Sequence, residues 1–178
     1  MSFWPKTEFS ADLKNEQVKY VISNAFYYYF HARQGNPFMP PVATVSYIEY
    51  IPYNIIFTEN SIFGEHLTPS IKLHSIPFAP LLDSENTFNE LKSKINDGKI
   101  TKGQKEGING KVDIEFKYNK IERIGFNNWI SDKDKLTDFS ASFEIFVPIY
   151  NNIFLINKNL SANLENIIKE VGLVTKLK

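Results

Sequence analysis

The sequence predicts an α+β fold: a curved antiparallel β-sheet of about seven to eight strands, with an N-terminal, a central and a C-terminal helix packed on it. Three observations lead there. Apolar residues recur at three- and four-residue steps in three separate stretches, the stripe of an amphipathic helix. Between those stretches lie short β-branched and aromatic runs, several of them alternating inside and outside. Turn residues joining the runs are few, and two-residue turns force antiparallel neighbours.

The N-terminal helix is read over residues 10–33. Ser10 is placed to cap it, and Asp12 falls in the first turn, where the helix dipole favours negative charge. Val18, Val21, Ile22, Ala25, Tyr28 or Tyr29, and Ala32 form its stripe, and Gly35 followed by Pro37 ends it. Strands are expected at 42–51 and 55–57, interrupted by Pro52-Tyr53-Asn54. A hairpin is expected from 62–67 and 71–76 around Thr68-Pro69-Ser70, with Pro77 and Pro80 closing the region.

The central helix starts from Asp83, Ser84 or Thr87, carries Phe88, Leu91 and Ile95 on its apolar face, and stops at Gly98. Residues 99–111 are polar and glycine-rich, the composition of a loop. Residues 112–118 alternate strictly, and Asn119-Lys120 is read as a two-residue turn into 121–126. A loop over 127–138 leads to an alternating strand at 139–147, and Asn151-Asn152 is read as the turn into 153–156. The last helix opens near Asn159 or Ser161, with Leu160, Leu164, Ile167, Ile168 and Val171 as its stripe.

At 178 residues the chain fits a single domain, 1–178, large enough to bury a core without disulfide or metal staples. Twenty basic residues balance twenty acidic ones, so there is no global field to attract nucleic acid or an anionic membrane. The only arginines are Arg33 and Arg123, which argues against base readout and bidentate phosphate binding. Cysteine is absent, which removes thiol chemistry and Cys-ligated metals and fits a reducing compartment. The first residues lack a basic segment followed by an apolar core, and no apolar run is long enough to span a bilayer. The expectation is a soluble, cytoplasmic protein with no cofactor, no nucleic acid and no membrane partner.

Motifs for catalysis are missing. There is no G-x-S-x-G elbow, and residues 98–107 lack the Gly-Lys-Ser/Thr ending of a phosphate loop. Asp113 and Glu115 lie two apart on one strand face, which reads as an exposed sheet surface. His66 and His74 fall on the two arms of the expected hairpin and, with Glu49 or Glu65, are the only residues from which a two-histidine, one-carboxylate site could be built. Two partly exposed strand histidines explain them better.

Five consecutive aromatics, Phe26-Tyr27-Tyr28-Tyr29-Phe30, exceed what one packed helix face can bury. Tyr27, Phe30, Phe38 and Trp129 are the rings least accounted for by the core stripes, and Trp129 stands in an acidic loop with Asp132, Asp134 and Asp138. Aromatic anchors beside acidic hydrogen-bonding groups suit a cationic protein surface. These seven residues are the expected partner-binding site.

In size, composition, missing active site and these two aromatic segments, the chain resembles the bacterial immunity proteins of contact-dependent growth inhibition and other polymorphic toxin systems. That resemblance implies a non-enzymatic protein that neutralises a cognate toxin domain by stoichiometric complex formation. Zero net charge points to a neutral or mixed-charge toxin. Two other functions are open: a small enzyme with a site in a sheet cavity built on His66, His74 and Glu49, and a phage or structural assembly protein whose aromatics form a homo-oligomer interface.

Overall fold

The aromatic segment near the N-terminus is a strand. In the computed structural model, which describes residues 13, 15–32, 46–67, 71–75, 84–103, 111–126 and 140–178, β1 runs Tyr20–Ala32 and pairs over almost its whole length with β2, Ser46–Phe57. The helix expected over 10–33 is therefore corrected for its described part. Its stripe is an accident of a bulge: register slips between Ile22 and Ala25, where Asn24 takes a φ of 54°. Before the bulge Tyr20 and Ile22 face one core; after it Ala25 and Tyr27 do, so an alternation of two reads as spacings of three. Val, Ile, Tyr and Phe also favour a pleated surface over a helix.

The element order continues β3 (Ser61–His66), β4 (Ile71–Ser75), α1 (Ser84–Asn96), β5 (Ile100–Lys102), β6 (Lys111–Lys117), β7 (Arg123–Phe126), β8 (Ser140–Val147), β9 (Tyr150–Asn157) and α2 (Ser161–Glu170). Among the described residues these nine strands form one antiparallel sheet ordered β6-β3-β2-β1-β9-β8-β7, with β4 added on β2 and β5 on β1. Among the described residues two α-helices accompany it, where three were expected, and they lie on opposite faces.

Three further expectations are corrected by the pairing. β3 and β4 are not a hairpin: both pair with β2, β3 along Tyr53–Phe57 and β4 along Ser46–Tyr50, end to end on the same edge. Pro52 sits inside β2 without breaking it. Its carbonyl accepts from Leu67 N at 2.8 Å on the side where β3 gives way to β4. The missing N–H of Pro52 faces that same gap, and the ladder to β1 is undisturbed. Likewise β6 and β7 are not a hairpin: they are the two ends of the strand order, joined by a 3-10 turn at Tyr118–Lys120.

That connection forces the sheet to curl. Six strand steps separate β6 from β7, roughly 29 Å in a flat sheet. The chain from Lys117 to Arg123 can reach only about 21 Å. Ring contacts show the closure directly. Phe116 on β6 lies 6.4 Å from Phe154 on β9, four strand positions away, where flat spacing would give roughly 19 Å. Phe57 on β2 reaches Phe143 on β8 at 6.3 Å. The sheet is an open barrel with an aromatic interior.

The concave core takes Tyr53, Ile55 and Phe57 from β2, Phe143 and Ile145 from β8, and Phe154 and Ile156 from β9. α2 lays Leu164, Ile167 and Ile168 against it. Tyr20 on β1 donates its hydroxyl to the Glu170 carboxylate at the end of that helix. On the convex face, Leu91 and Ile95 of α1 cover Phe26, Tyr50, Ile153 and Leu155, while Val18, Val21, Ile56 and Phe63 form a separate patch. β5, a short strand inside the stretch read as loop, ties residues 100–102 to the start of β1.

Candidate functional site

Beyond its bulge, β1 turns Tyr27 and Tyr29 to the concave side, and β2 presents Glu49, Ile51 and Tyr53 to the same side. Tyr53 is fully buried. Gly64 on β3 makes room for it: a methyl group there would lie 3.1 Å from the Tyr53 ring and 3.0 Å from Ile114 Cβ. The ring can then lie flat and stack on His66, with centroids 5.2 Å apart and planes at 25°. Tyr27 packs edge-on against Tyr53 at 6.3 Å and Phe154 at 5.2 Å, and stacks with Tyr29 at 6.4 Å.

A second bulge brings in Asp113. Gly64 pairs with Ile114 but Glu65 pairs with Val112, so Asp113 is the extra residue of β6. Such a bulge re-aims a side chain. Asp113 Oδ2 lies 3.2 Å from His66 Nδ1, with both side chains about one-quarter exposed. This corrects the expectation that Asp113 and Glu115 form one plain exposed strand face: Glu115 instead accepts from Ser61 Oγ at 3.1 Å. The carboxylate at Nδ1 favours a proton on that nitrogen and fixes the orientation of the imidazole ring.

The phenols register the electrostatics of this rim. Burial, then the charge of Asp113 and its approach to the hydroxyl, then Tyr27 and Glu49, hold the Tyr53 phenol far above the usual tyrosine range. Its buried hydroxyl faces Asp113 without an acceptor in good hydrogen-bond geometry. Burial, and after it Tyr29, pushes Tyr27 up to about 12. Tyr27 donates to Asn152 Oδ1 at 3.0 Å, and Asn152 Nδ2 donates to Ile145 O at 3.2 Å, which fixes the amide against β8.

Asn152 leads to the β8–β9 turn. Tyr150, Asn152 and Phe154 alternate onto one face of β9. Val147 pairs with Tyr150, so the turn is Pro148-Ile149, and the Asn151-Asn152 turn expected from sequence is corrected. Ile149 is 92% exposed at a φ of 81°, and Tyr150 is 52% exposed. Proline followed by φ near +80° is the type II pattern, whose second position favours glycine or asparagine. A β-branched residue there is strained by about 1–2 kcal/mol. In comparisons with known proteins, no family model matches the chain, and no curated protein or solved structure matches it significantly. The site stands on its own geometry.

Of the residues expected to bind a partner, Tyr27 lies in this rim. Phe30 continues β1 opposite Ile48, and only its backbone position is described. Phe38, Trp129, Asp132, Asp134 and Asp138 lie outside the described residues. His66 and His74 are not brought together: they pair with Tyr53 and Tyr47, six residues apart along β2, roughly 20 Å. Glu65 is buried on the other face, accepting from Asn54 Nδ2 at 2.8 Å. Among the described residues no group of three His, Asp or Glu side chains could hold a metal ion, and no helix is long and apolar enough to cross a membrane.

A polar cleft of about 290 Å³ lies elsewhere, lined by Glu16, Asn60, Ser61, Glu115, Lys117, Tyr118 and Asn119. Its groups lock the β2–β3 turn. Thr58 Oγ1 donates to the Glu16 carboxylate, and Tyr118 donates to Thr58 O at 2.7 Å.

Sequence reasoning missed Tyr29, Tyr53, Asp113, Asn152, Ile149 and Tyr150. Only the last pair carried a legible signal: Pro-Ile between two strands places a β-branched residue where a turn calls for glycine.

Proposed function

We propose that this chain acts by stoichiometric binding to another protein, in the manner of the immunity proteins it resembles, and that the partner is a cognate toxin domain. The observation carrying this reading is the Pro148-Ile149-Tyr150 tip. An isoleucine that is 92% exposed and held at a φ of 81° contributes nothing to this core and strains the backbone. Strain kept at an exposed apolar tip is what a docking anchor looks like before its partner arrives. Tyr150 continues the tip through Asn152 to Tyr27, so anchor and aromatic rim form one surface.

The test is purification of the tagged chain from its native host, with companions identified by mass spectrometry, alongside Ile149→Asp. The expected result is one stoichiometric companion bearing a toxin-like domain, weakened by about 2 kcal/mol or more in the variant while its circular dichroism is unchanged. A partnerless wild-type chain defeats the proposal. Concentration-dependent self-association in its place would support the assembly function.

A further inference from the structure

One rung below the Pro148-Ile149 turn, a row of side chains crosses the outer face of the sheet. Arg123 on β7 pairs with Phe146 on β8, and Phe146 pairs with Asn151 on β9. Ile145 enters the concave core, so its neighbour Phe146 points the other way, onto the convex side. Arg123 Cζ lies over this ring, 3.7 Å from its centroid. At that separation the planar guanidinium lies flat on the ring, held by dispersion and by the negative ring face. Its N–H donors then point along the surface and not into the fold.

Among the described residues nothing accepts from those donors. Glu144, two residues along β8 on the same face, is fully buried and accepts from Asn151 Nδ2 at 3.3 Å. Arginine is also rare in this chain: apart from Arg33, every other basic residue is a lysine. A lysine would carry the same charge but could neither stack flat nor offer two parallel N–H groups. A half-buried guanidinium fixed on a ring has little freedom left to lose on pairing, and its fork matches a carboxylate. The exposed isoleucine beside it suits a protein surface, whereas a nucleic-acid backbone is held by several cations and no apolar tip.

We infer that Arg123, laid on Phe146, pairs with an aspartate or glutamate side chain of the protein that docks on the Ile149 tip. This rests on the binding function proposed above. The two features divide the work: Ile149 supplies apolar contact, and Arg123, one rung away, orients the partner through a carboxylate. Arginine is among the residues that most often carry the energy of a protein interface. Charge complementarity of this kind also fixes register and suppresses wrong partners.

The experiment uses the full tagged chain and the companion protein it captures, with affinity read by biolayer interferometry. Arg123→Gln should weaken binding about tenfold or more, and Arg123→Lys, which keeps the charge, should lose nearly as much. Both variants should keep the wild-type circular dichroism. Arg123→Glu should abolish binding, and replacing one Asp or Glu of the companion by Arg should restore it, a rescue that a purely structural role for Arg123 would not give. If Arg123→Glu does not fold, the losses in Arg123→Gln and Arg123→Lys decide. Wild-type affinity in Arg123→Gln overturns the inference and leaves the binding function standing. Full affinity in Arg123→Lys does the same, and so does the failure of every charge swap. A companion released by nuclease also overturns it, since Arg123 would then face a phosphate. No companion at all overturns the inference together with the function on which it rests.

Discussion

Replacing Ile149 with glycine should stabilise the protein while disabling it. At a φ of 81°, an L-residue with a branched Cβ carries about 1–2 kcal/mol of backbone strain. Glycine removes that strain but loses more chain entropy on folding, about 0.5–1 kcal/mol. The side chain is 92% exposed, so almost no buried apolar area is given up. The net expectation is a gain of about 0.5–1 kcal/mol, which for a chain of this size raises Tm by about 1–4 °C. Thermal melts followed by circular dichroism and urea titrations measure it. Partner binding should fall in the same variant, because the anchor is gone. Ile149→Asn tolerates the same backbone region and should behave likewise. A fall in Tm of several degrees would refute the reasoning, since it would show that Ile149 packs against the fold.

Three other outcomes follow from the geometry of the rim. Gly64→Ala pushes a methyl group between Tyr53 and Ile114 and should lower stability by about 1–3 kcal/mol in urea unfolding; a neutral result would mean Tyr53 has room to move. Tyr53→Phe removes a buried hydroxyl without a well-aligned acceptor, so stability should hold or rise by about 1 kcal/mol; a loss of more than that would show the hydroxyl to be firmly bonded. Tyr27, pushed up to about 12, binds its proton more tightly when folded than when unfolded. Its contribution is therefore fully present below pH 10 and is lost as pH rises toward about 12; ultraviolet titration at the phenolate band should show one late-titrating phenol fewer in Tyr27→Phe than in the wild type.

How much of this was legible in the sequence depended on how each segment is buried. α2 was readable because one stripe of it is covered and the rest is wet, and Leu164, Ile167 and Ile168 keep helical spacing. β8 showed itself by period, with Ala141, Phe143 and Ile145 on the concave side. β1 was misread because it is buried on both faces and carries a bulge, so neither a clean period of two nor a break announced it. Pro52 looked like a break because its missing donor matters only if a neighbour needs it, and that neighbour lies in the gap between β3 and β4. The strand order could not be anticipated, since β6 and β7 are chain neighbours at opposite ends of the sheet. For the same reason the rim was hidden: Tyr27, Glu49, Tyr53, His66, Asp113 and Asn152 meet only through the curl and two bulges. Asp113 in particular has the local pattern of a solvent-facing strand residue until the bulge turns it to His66.

The most direct test of the account is photo-crosslinking from the tip in the native host. A benzoylphenylalanine at position 150 samples the proposed docking surface, and one at Asn163, exposed on α2, samples the far side of the same core. The account predicts one protein captured from position 150 and not from 163. No capture from 150, or the same proteins from both positions, would contradict it.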